Sequence, residues 1–357
     1  MINSLRVGEV RRARPLATGC AFCNKQDGLK ICGSCKAAYF CCEEHKAAMG
    51  IYHLDPCEKV REWRPQLVQY PFIDPTGGNV HPHDADTDTL IHNLAYANRW
   101  MTCRTALAQC LGGINTRLAA EERLELLIEI IPMNIYAQVT ICRLMIGLDR
   151  DLEAYDLIKR SILGSNKQYA NGQIFKPDQD WFKDKEEADP WEDVTYMRRE
   201  GIMSNFAVYQ FLSVALMKVK MLMDLETIQE ASCAFGFKVP LEIFNIICSF
   251  AAISPITQIK GAIQDTDNQR EQIDVLRQQI RFLYDTVDNH NKAIWPCLIS
   301  GERLFVCVFS FQVWAVGPPP NWPYNTDHLP CVGDGCIAEA WVTIPGALAR
   351  IARFQRS

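Results

Sequence analysis

The chain has 357 residues, of which 48% are hydrophobic and 22% are charged, a composition typical of globular proteins. Its formal net charge of −5 argues against broad electrostatic binding to nucleic acid. No apolar run reaches the roughly 18 residues that a membrane span requires. The chain carries 16 cysteines and no signal peptide, which indicates a reducing, intracellular compartment, either nucleus or cytoplasm.

Residues 1–19 are predicted to be a flexible, basic lead-in. They contain four arginines but few large apolar side chains, and so short a basic cluster is more often a solvated tail than a nuclear signal. The arginines are Arg6, Arg11, Arg12 and Arg14.

Eight potential metal ligands follow within residues 20–57, and they form four evenly spaced pairs. Zinc prefers four tetrahedral thiolate or imidazole ligands, so eight of them suit two closed structural sites without an open position for a catalytic water. A segment this short cannot fold on apolar burial alone, whereas structural zinc supplies roughly 10–16 kcal/mol per ion in finger peptides. The pairs are Cys20-x2-Cys23, Cys32-x2-Cys35, Cys41-x3-His45 and His53-x3-Cys57.

The order of the pairs resembles the MYND zinc finger. The pattern closes with a His-x3-Cys pair instead of a second Cys-x2-Cys pair, and the aromatic residues Tyr39 and Phe40 stand directly before Cys41. In that family the first and third pairs share one zinc ion, and the second and fourth pairs share the other. The resemblance therefore implies one zinc on Cys20, Cys23, Cys41 and His45, and a second zinc on Cys32, Cys35, His53 and Cys57.

Three positions depart from the usual MYND pattern. The sixth ligand is His45 where the family usually has Cys, Lys46 stands where it usually has Gln, and Gly50 stands where it usually has Trp. MYND fingers generally present a shallow groove to short Pro-containing peptides, so the resemblance implies a protein partner. Since Lys46 and Gly50 are expected near that groove, affinity for a proline peptide is expected to be weak or absent.

The cysteines allow two other interpretations. Disulfides are disfavoured, because two histidines stand in register with the cysteines and no signal peptide precedes them. Cys42 and His45 would also form a ligand pair, but the order of the aromatic residues favours Cys41 and leaves Cys42 as a spare thiol. The nine cysteines outside the finger are predicted to fill the core.

The rest of the chain is predicted to be mainly α-helical. Residues 58–88 are assigned to an exit helix, ended by Pro65, and a linker, and residues 89–357 to a helical body that folds without zinc. Helices of 12 to 17 residues joined by short turns indicate antiparallel hairpins. An acidic loop over 165–195 interrupts them, with eight acidic residues against two lysines between Asp178 and Asp193. Its tryptophans are expected to fold back onto the protein.

The function predicted from the sequence is a zinc-binding, protein-interaction module on a helical scaffold, such as a regulatory adaptor, and not an enzyme. The helical body is similar to that of a group of fungal MYND-finger proteins, a resemblance that implies no reaction. A lysine methyltransferase with a MYND finger inside a SET domain is the first alternative. It would need a Gly-rich strand before the finger and an Asn-His-x-Cys motif after it, but only 19 residues precede Cys20, and Asn289-His290 continues as Asn-Lys-Ala. A DNA-binding transcription regulator is the second alternative, and the balanced charge of the finger argues against it.

Overall fold

The computed structural model describes residues 15–69, 94–130, 137–170, 188–197, 205–235, 238–259, 269–300 and 337–355. The N-terminal part begins with an antiparallel pair of short strands, β1 (Lys30–Ile31) and β2 (Tyr39–Phe40), in which Lys30 lies opposite Phe40. Helices α1 (Glu43–Ala48) and α2 (Ile51–Gln69) follow. This cysteine-rich part lies against a body built only of helices within the described residues, so the predicted mainly α fold is confirmed.

The body contains eleven α-helices in the part of the chain that the structure describes. Each of the first five packs against its neighbour in sequence. The helices are α3 (Leu94–Gly112), α4 (Arg117–Ile130), α5 (Ala137–Gly147), α6 (Asp151–Ala170), α7 (Asn205–Phe235), α8 (Leu241–Ala251), α9 (Pro255–Ile259), α10 (Gln269–His290), α11 (Ile294–Ser300), α12 (Ile337–Thr343) and α13 (Ala347–Gln355).

Helix α7 is the central element of the body. Its residues 210–222 are buried on every side, because α5, α6, α10, α12 and α13 all pack around it. Helix α10 lies along α7 and buries Ile273, Leu276, Ile280, Leu283 and Val287, whose alternating spacing of three and four residues predicts a short heptad seam. A helix that is apolar around its whole circumference is expected in such a central position.

Three helix boundaries differ from the predictions. The exit helix begins at Ile51 and continues past Pro65 to Gln69, because Val60 and Trp63 pack against the core and hold the helix together across the proline. The apolar run over 206–223 predicts one helix and residues 226–234 predict a second, but the structure forms one continuous helix there, α7. The apolar and basic pattern over 337–354 predicts one C-terminal helix, but the structure forms two, since Gly346 adopts a φ of +85° between α12 and α13.

The finger and the body share one apolar cluster. Thr116, between α3 and α4, donates its hydroxyl to the carbonyl of Ala37 at 2.5 Å, and Arg64 of α2 donates both to the carbonyl of Cys35 at 2.7 Å and to the carboxylate of Glu122 on α4 at 2.9 Å. Pro56 approaches Gly113 so closely that a Cβ on this glycine would lie 2.9 Å from the Cβ of Pro56. The packing of α2 on α3 adds to these contacts, so the finger is seated on the body through α2, α3 and the α3–α4 turn.

Part of the predicted lead-in is ordered by the body. Ala17 forms an isolated parallel bridge with Thr116, in which its N–H donates to the carbonyl of Asn115 and its carbonyl accepts from the N–H of Arg117. Residues 1–14 and the predicted linker residues 70–88 lie outside the described residues.

The end of the acidic loop folds back onto the body, which confirms the prediction for Trp191. Trp191 is half-buried against the core, and the buried ammonium of Lys218 donates to the carbonyls of Pro190 and Glu192 at 2.6 and 3.0 Å. Residues 171–187, with Trp181 and Phe182, lie outside the described residues, and residues 165–170 belong to α6.

A buried ion pair joins α6 to α7. Lys220 and Asp151 lie 2.7 Å apart, with 2% and 0% of their side chains exposed. The hydroxyl of Ser254 donates to the same carboxylate, and Asp224 accepts the N–H groups of Ile253 and Ser254 at the start of α9. Burial raises the pKa of Asp151 above its usual range, although Lys220 opposes that shift.

None of the helices described is both long and apolar enough to cross a membrane.

Candidate metal centre

The two Cys-x2-Cys pairs form the same kind of turn. The N–H of Asn24 donates to the carbonyl of Cys20 at 2.7 Å, and the N–H of Lys36 donates to the carbonyl of Cys32 at 2.9 Å. Asn24 and Lys36 each adopt a positive φ, 58° and 55°, which reverses the chain directly after the second cysteine. This spacing therefore directs both thiols of a pair to the same side of the turn.

The other two pairs reach the clusters through helices. Cys41 directly follows β2 and His45 lies on α1, four residues later. His53 and Cys57 lie four residues apart on α2, and residues at that spacing share one face of a helix. The chain thus brings the third pair to the first and the fourth pair to the second.

The first cluster contains Cys20, Cys23, Cys41 and His45, whose ligand atoms all lie within 4.8 Å of one another. The Sγ atoms of Cys23 and Cys41 are 3.8 Å apart, and Nδ1 of His45 lies 3.0 Å from Sγ of Cys41 and 3.8 Å from Sγ of Cys20. Cys20 is buried, but Cys23 is exposed and the other two are half-buried. The ring of Phe22 packs on the imidazole of His45 at 4.7 Å. This cluster therefore lies at the surface.

The second cluster contains Cys32, Cys35, His53 and Cys57, and all four are buried. The Sγ atoms of Cys32 and Cys57 are 3.7 Å apart, and Nε2 of His53 lies 3.4 Å from Sγ of Cys32 and 4.0 Å from Sγ of Cys35. The ring of Phe40 meets the imidazole of His53 edge-on at 5.0 Å. This cluster faces the body, so it belongs to the interior of the protein.

Backbone N–H groups stabilise one thiolate in each cluster. Burial acts to raise the pKa of Cys20, but the N–H groups of Phe22 and Cys23 in its own turn, and that of Cys41, outweigh burial and bring the pKa to about 6. The same opposition lowers the pKa of Cys32, whose N–H donors are Ser34 and Cys35. Donors two and three residues after the first cysteine are a direct product of the x2 spacing. They prepare these sulfur atoms to act as anionic ligands.

The thiols of Cys35 and Cys41 need a cation beside them to ionise. Burial, and then the charges of Cys32 and Cys57, raise the pKa of Cys35 to about 12. Burial and the thiols of Cys20 and Cys23 likewise raise the pKa of Cys41 to about 12. Two or three thiolates cannot be held this close together at neutral pH unless a positive charge lies between them. A bound divalent cation deprotonates coordinating thiols outright, so the electrostatics of both clusters fit a metal ion.

The geometry also fits a tetrahedral ion. A zinc–sulfur bond of about 2.3 Å places two sulfur ligands of a tetrahedron roughly 3.8 Å apart, and a sulfur and a nitrogen ligand roughly 3.6 Å apart. The sulfur–sulfur distances of 3.8 and 3.7 Å match the first value. The sulfur–nitrogen distances fall on both sides of the second. Three thiolates and one imidazole in each cluster form a soft donor set that suits zinc and does not suit Mg²⁺ or Ca²⁺.

The structure brings together the eight ligands in the two sets that the MYND resemblance implies. Cys42 belongs to neither set, in agreement with its interpretation as a spare thiol. The spacing of the ligands does not predict that the two sets differ in burial. Spacing depends only on residues close together along the chain, whereas the second cluster is buried by helices that pack over it.

A shallow groove lies beside the strand pair, with a volume of about 40 Å³. Its lining consists of Lys30, Ile31, Cys32, Phe40, Cys42, Glu43 and Lys46. The N–H of Cys32 donates to the carbonyl of Ala38. Because hydrogen-bonded and non-hydrogen-bonded residues alternate along an antiparallel strand, the N–H and C=O of the preceding residue, Ile31, point away from β2, towards the open edge of the sheet. The side chain of Ile31 is 47% exposed at this edge.

Comparison with known proteins finds no family model, no curated protein and no solved structure that matches this chain. The class of site therefore follows from the chain itself. Two interleaved clusters of four Cys and His ligands, braced across a short hairpin and two helices, fit a MYND-like zinc finger.

Proposed function

We propose that residues 20–57 bind two zinc ions and that this MYND-type finger presents a surface to a partner protein. The observation that carries the metal assignment is the pair of complete four-ligand clusters, each formed by three thiols and one imidazole. Four protein ligands complete the tetrahedral coordination of zinc and leave no position for substrate or water. The ions in this proposal are thus structural, and the proposed role of the protein is that of an interaction module and not of an enzyme.

The surface proposed for the partner is the open edge of β1 together with the groove beside it. An extended peptide can add to a free strand edge through main-chain hydrogen bonds, while neighbouring pockets select its side chains. Here the outward N–H and C=O of Ile31 supply the hydrogen bonds, and Phe40 lies in the groove. Lys46 and Lys30 line the same groove, so the peptide need not be the proline-containing kind that MYND fingers generally bind.

The helical body serves as the scaffold in this proposal. The finger is seated on α3 and α4 through Arg64, Thr116 and Pro56, and these contacts leave β1 on the outside. A rigidly mounted edge loses less conformational entropy on binding than a mobile one. We propose a regulatory adaptor of the nucleus or cytoplasm, with a compartment that its partner determines.

The test is affinity capture with the zinc-loaded chain as bait, followed by measured binding of the captured protein. Ile31→Asp places a charge on the exposed edge without altering a β1–β2 hydrogen bond, and it should abolish binding. Val68→Asp is the matched control, because Val68 is 81% exposed on α2 and lies outside the groove. Equal binding by both variants would overturn the proposed surface, and elemental analysis that finds no zinc would overturn the finger.

A further inference from the structure

Among the residues that the structure describes, helix α8 presents an apolar face that nothing covers. Ile243, Ile246 and Phe250 recur at spacings of three and four, which places them on one side of the helix, and they are 48%, 55% and 86% exposed. Ile253 extends the face beyond the end of α8 and is 47% exposed. We call these four residues the α8 stripe.

The opposite side of the same helix is already occupied. Phe244 and Cys248 are buried against Ile228 of α7, and these three residues form a small apolar cluster of their own. Helix α8 is therefore anchored to the body by one face, and it holds the α8 stripe outwards on a fixed support. A soluble chain seldom keeps so large an aromatic side chain as Phe250 in water unless a contact covers it.

The size of the α8 stripe fits an association surface. With roughly 200 Å² for a fully exposed large apolar residue, the exposed fractions give about 500 Å² per chain. That value lies in the range of the largest apolar patch on a typical monomer, which is often functional. Two such surfaces buried together give about 1,000 Å², the lower bound for a specific protein–protein interface.

For a second copy as the partner, the charge on α8 favours an antiparallel orientation over a parallel one. Glu242 is the one charged residue of the α8 sequence. If two α8 helices cross about Ile246, Glu242 of one chain lies opposite Phe250 of the other, and the two carboxylates are separated by about 12 Å along the axis. That distance exceeds the Debye length of about 8 Å at physiological salt. A parallel pair would place the two carboxylates side by side.

We propose that the α8 stripe is the contact between two copies of this chain, paired antiparallel about a two-fold axis near Ile246. A two-fold contact uses the same patch on both chains, so a second copy automatically supplies a stripe of matching length. Phe250 of each chain then packs on Ile243 of the other. The contact lies on the body, apart from the groove of the finger, so it leaves the finger groove of both chains available.

Sedimentation equilibrium of the full, zinc-loaded chain from about 1 to 100 µM tests the proposal. The unsubstituted chain should form dimers in this range, and Phe250→Asp should weaken them by roughly 30-fold or more, the effect of losing a hot-spot residue. Val68→Asp is the control, since it replaces an equally exposed apolar residue elsewhere. Circular dichroism and zinc content verify that each variant folds.

A mixing experiment tests the orientation. Ile243→Lys alone should also dissociate the dimer, but a mixture of the Phe250→Asp and Ile243→Lys chains should associate again, because one Asp–Lys pair and one native contact then face each other. An unsubstituted chain that stays monomeric at 100 µM, or equal dissociation by Val68→Asp, would overturn the proposal. A mixture that stays monomeric would overturn the antiparallel orientation.

Discussion

Substitution of a ligand in the buried cluster is expected to destabilise the helical body, whereas substitution of one in the surface cluster is not. Cys35→Ser removes a ligand that is 0% exposed and whose carbonyl accepts from Arg64. Cys23→Ser removes an exposed ligand of the other cluster. Each variant should lose one zinc ion. The two variants thus compare equal losses of metal at sites with different neighbours.

The size of the difference follows from the contacts that the buried cluster supports. If the turn after Cys32 loses its order, two hydrogen bonds to it are lost. The bond from Arg64 to the carbonyl of Cys35 is worth about 2 kcal/mol, and the bond from Thr116 to the carbonyl of Ala37 about 1 kcal/mol. Freeing α2, which supplies two ligands, exposes Val60 at a cost of about 2 kcal/mol. The free energy of unfolding of the adjoining body should therefore fall by about 5 kcal/mol. At an unfolding entropy of about 2.1 cal/mol/K per residue, a chain of 357 residues shifts its Tm by about 1.3 °C per kcal/mol, so Tm should fall by about 7 °C.

The assay is a thermal melt of the full chain followed by circular dichroism, together with elemental analysis of each variant. Cys35→Ser should lower the Tm of the helical signal by that amount, and Cys23→Ser by less than half of it. Equal shifts would show that the burial of the second cluster has no energetic consequence for the body. An unchanged Tm for Cys35→Ser would support the sequence-based expectation that the body folds without zinc.

Further outcomes are expected from smaller changes. Cys42→Ser should retain two zinc ions, whereas Cys41→Ser should lose one. If elemental analysis gives the reverse, Cys42 and not Cys41 is the ligand. Asp151→Asn should cost about 3–5 kcal/mol in a denaturant titration because it leaves the Lys220 ammonium buried without its carboxylate. A further Lys220→Met in the same chain should recover most of that loss, and no recovery would contradict the pairing. Duplex DNA should bind no tighter than a nonspecific background of roughly 10⁻⁴ to 10⁻⁶ M at physiological salt, which a fluorescence anisotropy titration can check.

The four ligand pairs could be predicted from the sequence because metal coordination leaves a strict local record, whereas their division into two sets of four follows only from the resemblance to the MYND finger. A Cys-x2-Cys pair needs one particular turn, and residues at i and i+4 need one helix face, so spacing alone carries the geometry. The helix order could also be predicted, since Leu124, Leu127 and Ile130 keep the 3.6-residue period of α4. Both signals come from residues close together along the chain.

The seating of the finger on the body could not be predicted in the same way. It depends on the carbonyls of Cys35 and Ala37, and every residue type has a carbonyl. Gly113 permits the approach of Pro56, but glycine is common in turns of every kind, so its presence does not indicate a close contact. The continuation of α2 past Pro65 was missed for a related reason: proline signals a helix end locally, and the packing that overrides it is tertiary.

The position of the groove between the two clusters leads to a last prediction. Strand β1 leads directly into Cys32 of the buried cluster, and β2 leads directly into Cys41 of the surface cluster. If both clusters bind the proposed ions, each strand is fixed at one end by a different metal ion, and the open edge of β1 keeps its shape only while both ions are bound. Cys23→Ser should then abolish binding of the captured partner while the helical signal keeps most of its thermal stability. Fluorescence anisotropy with the labelled partner, measured beside the melt, separates the two effects, and full binding by the Cys23→Ser chain would refute this dependence on the surface ion.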